Sequence, residues 1–206
     1  MVTGLVMSAL AGLDGVVFSG LERCPVCGGA VRIHDFRDKQ IVNCIEDRGL
    51  RTVRVRVGRY HCIACKSFMY ADEPFYPGTR HGSPVVDLAL TLSGYYPFYR
   101  TSRLMEQMGI SIDRGTVRNY ALMARRVVPA IPLYGMPLPL SVITLSELFA
   151  RSGEGHPVVG AEVLRACGFP STRGTGPHRP PGGQERYERN EQEEREKRDS
   201  QKKEDS

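Results

Sequence analysis

Cysteines 24, 27, 62 and 65 are the residues of this 206-residue chain whose spacing points most directly to chemistry. They form two C-x-x-C pairs, Cys24-Pro-Val-Cys27 and Cys62-Ile-Ala-Cys65, with 34 residues between them. Each pair bends the backbone into a knuckle that aims two thiolates at one ion. Two knuckles complete a tetrahedral four-sulfur shell with no open position for water or substrate, so the expected cofactor is one structural Zn2+. Gly28 supplies the permissive backbone that such a turn needs after its second cysteine. In a ribbon this small, metal binding is largely folding energy. A redox role requires one C-x-x-C in a βαβ setting, which neither pair has. Cys44, in an apolar stretch, and Cys167, at a helix end, read as core thiols. His34, His61 and His81 are not needed as ligands, because four thiolates already fill the shell.

A second set of residues suits nucleic acid. Arg114, Thr116, Arg118 and Asn119 fall off the apolar stripe of a short helix formed by Val117, Tyr120, Ala121 and Ala124. Arginine pairs with guanine O6/N7 and asparagine with adenine N6/N7, so these four are candidates for reading base edges. Arg100, Arg103, Arg125 and Arg126, with Arg54 and Arg56 on the ribbon, are placed to contact phosphates, which position a protein without reading sequence.

The elements that must hold these groups follow from pattern. Leu50 to Val57 alternates with period two, Val53, Val55 and Val57 on one face and Thr52, Arg54 and Arg56 on the other. AVRIHDF and KQIVNCI read as two further strands with a turn near Asp38. Residues 83–128 read as three helices. Ser83-Pro84 caps the first and Thr101 caps SRLMEQM. Gly109 stops that second helix, and Asp113 caps the third, which starts near Arg114. The helix, glycine turn and second helix make a helix-turn-helix pattern, whose second helix would enter the major groove. The fold class is thus α+β in small modules: a zinc ribbon of short antiparallel strands, then an all-α helix-turn-helix domain.

The cysteine ribbon, the strand running into RYHCIAC, the aromatic residues Phe68, Tyr70 and Phe75, and the segment GISIDRGTVRNY together resemble the N-terminal half of insertion-sequence transposases. Those proteins join a zinc ribbon and helix-turn-helix to a ribonuclease-H-like DDE domain. The resemblance covers about residues 21–128. It implies that Cys24, Cys27, Cys62 and Cys65 hold zinc, that residues 110–120 read DNA, and that the partner is double-stranded DNA at terminal inverted repeats. A DDE domain needs three separated carboxylates around two divalent ions. After Val128 and before the charged tail the chain offers only Glu147, Glu154 and Glu162, with no strand sequence to present them. No enzymatic activity is therefore expected, unless a separate polypeptide supplies the catalytic residues. A homodimer is the other expected assembly, and a transcriptional regulator or an accessory protein-interaction factor are the alternative functions.

The remaining segments frame this core. Residues 1–20 are an apolar lead-in, expected to pack on the rest. Residues 21–80 are the ribbon and 81–128 the helix-turn-helix. Residues 129–140, with four prolines, read as a semi-rigid linker, and residues 141–170 as a short helical segment whose last helix, near Val158 to Cys167, stops at Gly168. Residues 171–206 carry almost no apolar side chains and read as a disordered charged tail. The net charge is +5, and the basic excess lies wholly in residues 1–128, with 17 Lys/Arg against 11 Asp/Glu. No apolar run is long enough to span a bilayer and the N-terminus lacks a basic signal-peptide start, so the expected setting is cytoplasmic and nucleoid-associated.

Overall fold

The computed structural model describes residues 2–123, 127–152 and 157–169. The expected tail at 171–206, together with Ala124, Arg125, Arg126 and Glu154, lies outside the described residues. The elements run α1 (Val2–Ala11), β1 (Val17–Phe18), β2 (Val31–Glu46), β3 (Gly49–Cys62), β4 (Phe68–Tyr70), α2 (Ser83–Ser93), α3 (Phe98–Gln107), α4 (Arg114–Met123), β5 (Ala130–Leu133), β6 (Met136–Pro139), α5 (Leu140–Ser152) and α6 (Gly160–Ala166). A strand-rich N-terminal region carrying the four-cysteine cluster is followed by a helical region, as the α+β reading expected.

The ribbon is dominated by one long antiparallel hairpin, β2 against β3, turning at Asp47-Arg48. The expected turn near Asp38 does not exist; Asp38 sits in mid-strand opposite Arg56. What the sequence pattern registered as a break is a pair of β-bulges, one extra residue at His34 and one at Ile41. A bulge shifts the inside-outside phase of its own strand, so Ile41 and Val42, adjacent in sequence, are both fully buried. The opposite strand β3 has no extra residue and keeps strict alternation. Val53, Val55 and Val57 are buried on one face toward the hairpin tip, while Tyr60 and Cys62 are buried on the opposite face toward the knuckles. β1 pairs in parallel with Arg56–Val57, and β4 pairs with Arg59–His61 on the same edge of β3.

The helical region shares its core with that hairpin. Ile41, Val42, Cys44, Val53, Val55 and Val57 belong to the same buried cluster as Leu88 and Leu92 of α2, Met105 of α3 and Val117 of α4. All the described residues lie in one compact unit, in which the ribbon at 21–80 packs with the helices at 81–128. The apolar lead-in forms α1, which packs against α5. Asp14, at its end, accepts the Arg54 backbone N–H at 3.0 Å and pairs with Arg51 at 2.8 Å.

Two helix starts differ from the expected ones. α2 takes Gly82 as its N-cap, so Ser83 and Pro84 occupy its first two positions. α3 begins at Phe98 after Pro97, and Thr101 is buried inside it, its hydroxyl donating to the Tyr96 carbonyl at 3.3 Å. The expected linker at 129–140 is a hairpin of β5 and β6 joined through Tyr134 and Gly135, both left-handed with φ of +52° and +77°. That pair of positive φ values is what a two-residue hairpin turn requires. α5 and α6 form the expected helical segment, and Gly168 ends α6 with φ +74°. Among the described residues no helix is long and apolar enough to cross a membrane.

Candidate metal centre and nucleic-acid interface

The two knuckles are built alike. In the first, the Gly28 N–H donates to the Cys24 carbonyl at 2.8 Å; in the second, the Lys66 N–H donates to the Cys62 carbonyl at 3.1 Å. Both closing residues are left-handed, Gly28 at φ +73° and Lys66 at φ +62°. Glycine adopts that conformation without cost, whereas lysine does so against a penalty of about 1 kcal/mol. The β2–β3 ladder sets one knuckle beside the other, with Val31 opposite Cys62. Gly29 lies in the narrow gap: a Cβ there would stand 3.1 Å from the Ala64 Cβ and 3.3 Å from the Cys27 sulfur.

These backbone constraints bring all four sulfurs within 4.8 Å of one another. Cys24 and Cys65 stand 3.6 Å apart, Cys27 and Cys62 3.5 Å. A tetrahedral zinc with bonds of about 2.3 Å sets its sulfurs roughly 3.8 Å apart, so the cluster is the right size for that ion. The donor set fits as well, since thiolates favour zinc over hard cations. Without a cation, four such thiols do not ionise together. At Cys27 the Gly29 amide pulls the pKa down, but hydrogen bonding with the Cys62, Cys65 and Cys24 sulfurs raises it overall to about 11. At Cys65 the Ser67 hydroxyl and backbone N–H hold it down to about 6. Ser67, 3.4 Å from the Cys65 sulfur, is a supporting residue that spacing alone did not reveal. The cluster is thus capable of coordinating a structural Zn2+.

Among the described residues, no other cysteine or histidine joins the cluster. Cys44 and Cys167 are buried thiols, as expected, and burial raises both pKa values, Cys167 to about 12. His34 and His61 flank the Phe68 ring, with centroids 5.0 Å away in each case. His81 is buried, with Nδ1 2.7 Å from the Tyr120 hydroxyl.

The second site is the α3–turn–α4 segment. Gly109, at φ +87°, makes the turn, and a Cβ on it would run into Met7 of α1 at 2.7 Å. The turn is held by the hairpin tip: the Ile45 N–H donates to the Gly109 carbonyl at 2.7 Å, and the Ser111 N–H to the Asn43 carbonyl at 2.8 Å. Asp113 caps α4, accepting the Thr116 N–H at 2.9 Å, and hydrogen bonds from the Thr116 hydroxyl and amide hold its carboxyl below the usual range. Val117 and Tyr120 face inward, while Arg114, Arg118 and Asn119 are exposed together on the outer side. Thr116 is partly buried and its hydroxyl is directed to Asp113, so its place is in the cap.

Among the described residues, the expected phosphate-contacting arginines lie on two elements, β3 and α3. Arg54 and Arg56 are exposed on β3, and the Arg56 guanidinium lies 5.3 Å from the Phe36 ring. Arg100 and Arg103 are exposed on α3, over Tyr96 and Tyr99 respectively, and Arg103 also pairs with Glu106 at 2.9 Å. Arg125 and Arg126 lie outside the described residues. Of the carboxylates after Val128, Glu147 and Glu162 are described: Glu147 pairs with Arg151 at 3.5 Å, and Glu162 accepts the Val159 N–H at the start of α6. No protein-family model, no curated protein and no solved structure matches this chain.

Proposed function

We propose that this chain is a zinc-dependent, sequence-specific binder of double-stranded DNA, resembling the DNA-binding half of an insertion-sequence transposase and acting without catalysis of its own. The observation that carries the reading is the exposed trio Arg114, Arg118 and Asn119 on α4, backed by a turn pinned to the ribbon. A helix held this firmly can present guanidinium and amide groups to base edges with little loss of side-chain and backbone freedom. The zinc cluster serves indirectly by fixing the base of the hairpin whose tip grips that turn. The surplus of basic residues in positions 1–128 agrees with a polyanionic partner.

The test is selection of duplexes from a random pool by the zinc-loaded chain. An enriched motif, with affinity falling at about −0.9 in log K per log salt for each phosphate contacted, supports the reading. Failure to enrich any sequence overturns it. Enriched sites within inverted repeats flanking the gene would favour the transposase relationship over a regulator unrelated to mobile DNA.

One observation favours a second reading. Val26 and Ile63 stand exposed within the two knuckles. Two apolar side chains beside a rigid metal cluster suit a protein partner, and a complex of that kind would be far less sensitive to salt.

A further inference from the structure

Toward the knuckles, beyond the core valines, one face of the ribbon has no role in either the metal cluster or the helix-turn-helix. Arg59 and His61 of β3 share it with Phe68 and Tyr70 of β4, which lie opposite them in the ladder. On β2 the same face carries Arg32, opposite His61, and Arg37, opposite Val57. Phe68 is 54% exposed and Tyr70 41% exposed, an unusual placement for two aromatic rings on one short strand. Isolated exposed apolar residues are ordinary, but these rings are in register with each other and with cations.

The rings are held in position by their neighbours. Phe68 stands between the His34 and His61 rings, with the Arg59 guanidinium 5.3 Å from its centroid. Lys39 lies 4.2 Å from the Tyr70 centroid and is tied to Glu73 at 2.7 Å. Arg59 is fixed by Asp35 through two hydrogen bonds of 2.9 and 2.7 Å. The outermost cations are Arg32 and Arg37, both exposed on the far strand.

We propose that this face is a platform for single-stranded nucleic acid, with unpaired bases stacking on Phe68 and Tyr70 and the backbone phosphates following Arg32 and Arg37. Residues two apart on a strand are separated by roughly 6.7 Å, which gives each ring room for its own base. Stacking on aromatic side chains is tolerant of base identity, and a row of cations beside the rings tracks the backbone. Stacking on Phe68 and Tyr70 needs an open base face, which a paired and stacked duplex does not offer, so bases must come to the platform already unpaired. Charge argues for the same occupant. Arg32, Arg37, Lys39 and Arg59 outnumber Asp35 and Glu73 here, which favours a polyanion over an acid-poor protein surface. None of the platform residues lies on α4, so the proposal does not depend on duplex reading.

The chain contains no tryptophan, so Phe68→Trp creates a single fluorophore at the platform's centre. In the zinc-loaded full chain, a short oligothymidine should quench that fluorescence in a saturable manner. By anisotropy with the same labelled oligothymidine, Phe68→Ala and Tyr70→Ala should each weaken binding by about 5- to 150-fold. Affinity for a selected duplex should stay within twofold, and Arg114→Ala should show the converse pattern. Circular dichroism and zinc stoichiometry report whether each variant is folded, and Phe68→Tyr should retain binding. No quenching, or equal oligothymidine affinity in Phe68→Ala and wild type, overturns the proposal even if duplex binding is intact. Loss of duplex binding with single-strand binding retained would instead defeat the α4 reading alone.

Discussion

The Ile45 amide donates to the Gly109 carbonyl across 2.7 Å, joining the tip of the ribbon hairpin to the turn between α3 and α4. The Ser111 amide repeats the link to Asn43, and Cys44 bridges Ile110 between them. The turn therefore behaves as a short added strand on the outer edge of β2.

Metal removal should consequently be felt well beyond the knuckles. Structural zinc contributes about 10–16 kcal/mol in small peptides, comparable with the whole stability of an ordinary domain, about 5–15 kcal/mol. Because Val53, Val55 and Val57 share a core with α2, α3 and α4, chelation should reduce helical signal and expose thiols in one transition. Circular dichroism and thiol labelling across a chelator titration check this. Persistence of the helices after all four ligand thiols react would restore the picture of two separate modules.

Both knuckles should favour glycine at the closing position. Gly28→Ala places a Cβ at φ +73° and should cost about 1–2 kcal/mol. Lys66→Gly relieves the same conformation at φ +62° but adds freedom to the unfolded chain, leaving a net change of at most about 1 kcal/mol in favour of the fold. Denaturant midpoints of the zinc-loaded variants decide the sign.

On α4, Arg114→Ala and Asn119→Ala should flatten base preference at one or two positions each, with a cost of about 1–3 kcal/mol per lost contact. Asp113→Ala should act differently, weakening all sequences alike by loosening the first turn, with about 1 kcal/mol lost from stability. Competition binding against single-base variants of the selected site separates the two behaviours.

Acidification should destabilise the chain through His81. Burial lowers its pKa below the usual 6.5, so the unfolded chain takes up the proton first. Full stability is present above pH 6.5 and is lost as pH falls from there toward the lower folded value. Arg80 adds to the lowering and Asp113 opposes it. Urea midpoints at pH 7.5 and 5.5 should fall for the wild type and fall less for His81→Asn, whatever that variant's absolute stability.

Local chemistry made parts of this fold legible. Val53 to Val57 alternated without interruption, the cysteine spacing marked out the four-sulfur cluster, and Asp113 stood where a cap belongs. The bulges at His34 and Ile41 hid the continuity of β2, because an extra residue breaks the two-residue period that marks a strand. The four prolines from 129 to 139 suggested a linker for a similar reason. In the β5–β6 register, Pro132 faces Pro137 and Pro139 faces Ala130. These are alternate pairs, the ones whose amides point away from the partner strand, so no ladder bond is lost. The clasp between Asn43, Ile45 and the 109–111 turn joins segments some 65 residues apart, and no local pattern could announce it. Lys66 gave a weak signal by occupying the place in its knuckle that Gly28 holds in the other.

The burial of opposite faces at the two ends of β3 constrains how this protein can diverge. Adding or deleting one residue between Val57 and Tyr60 would rotate one end by half a turn, exposing either the valines or the tyrosine and cysteine. Descendants of a common ancestor should therefore differ in hairpin length by even numbers, and an odd difference should coincide with the birth or loss of a bulge at His34 or Ile41.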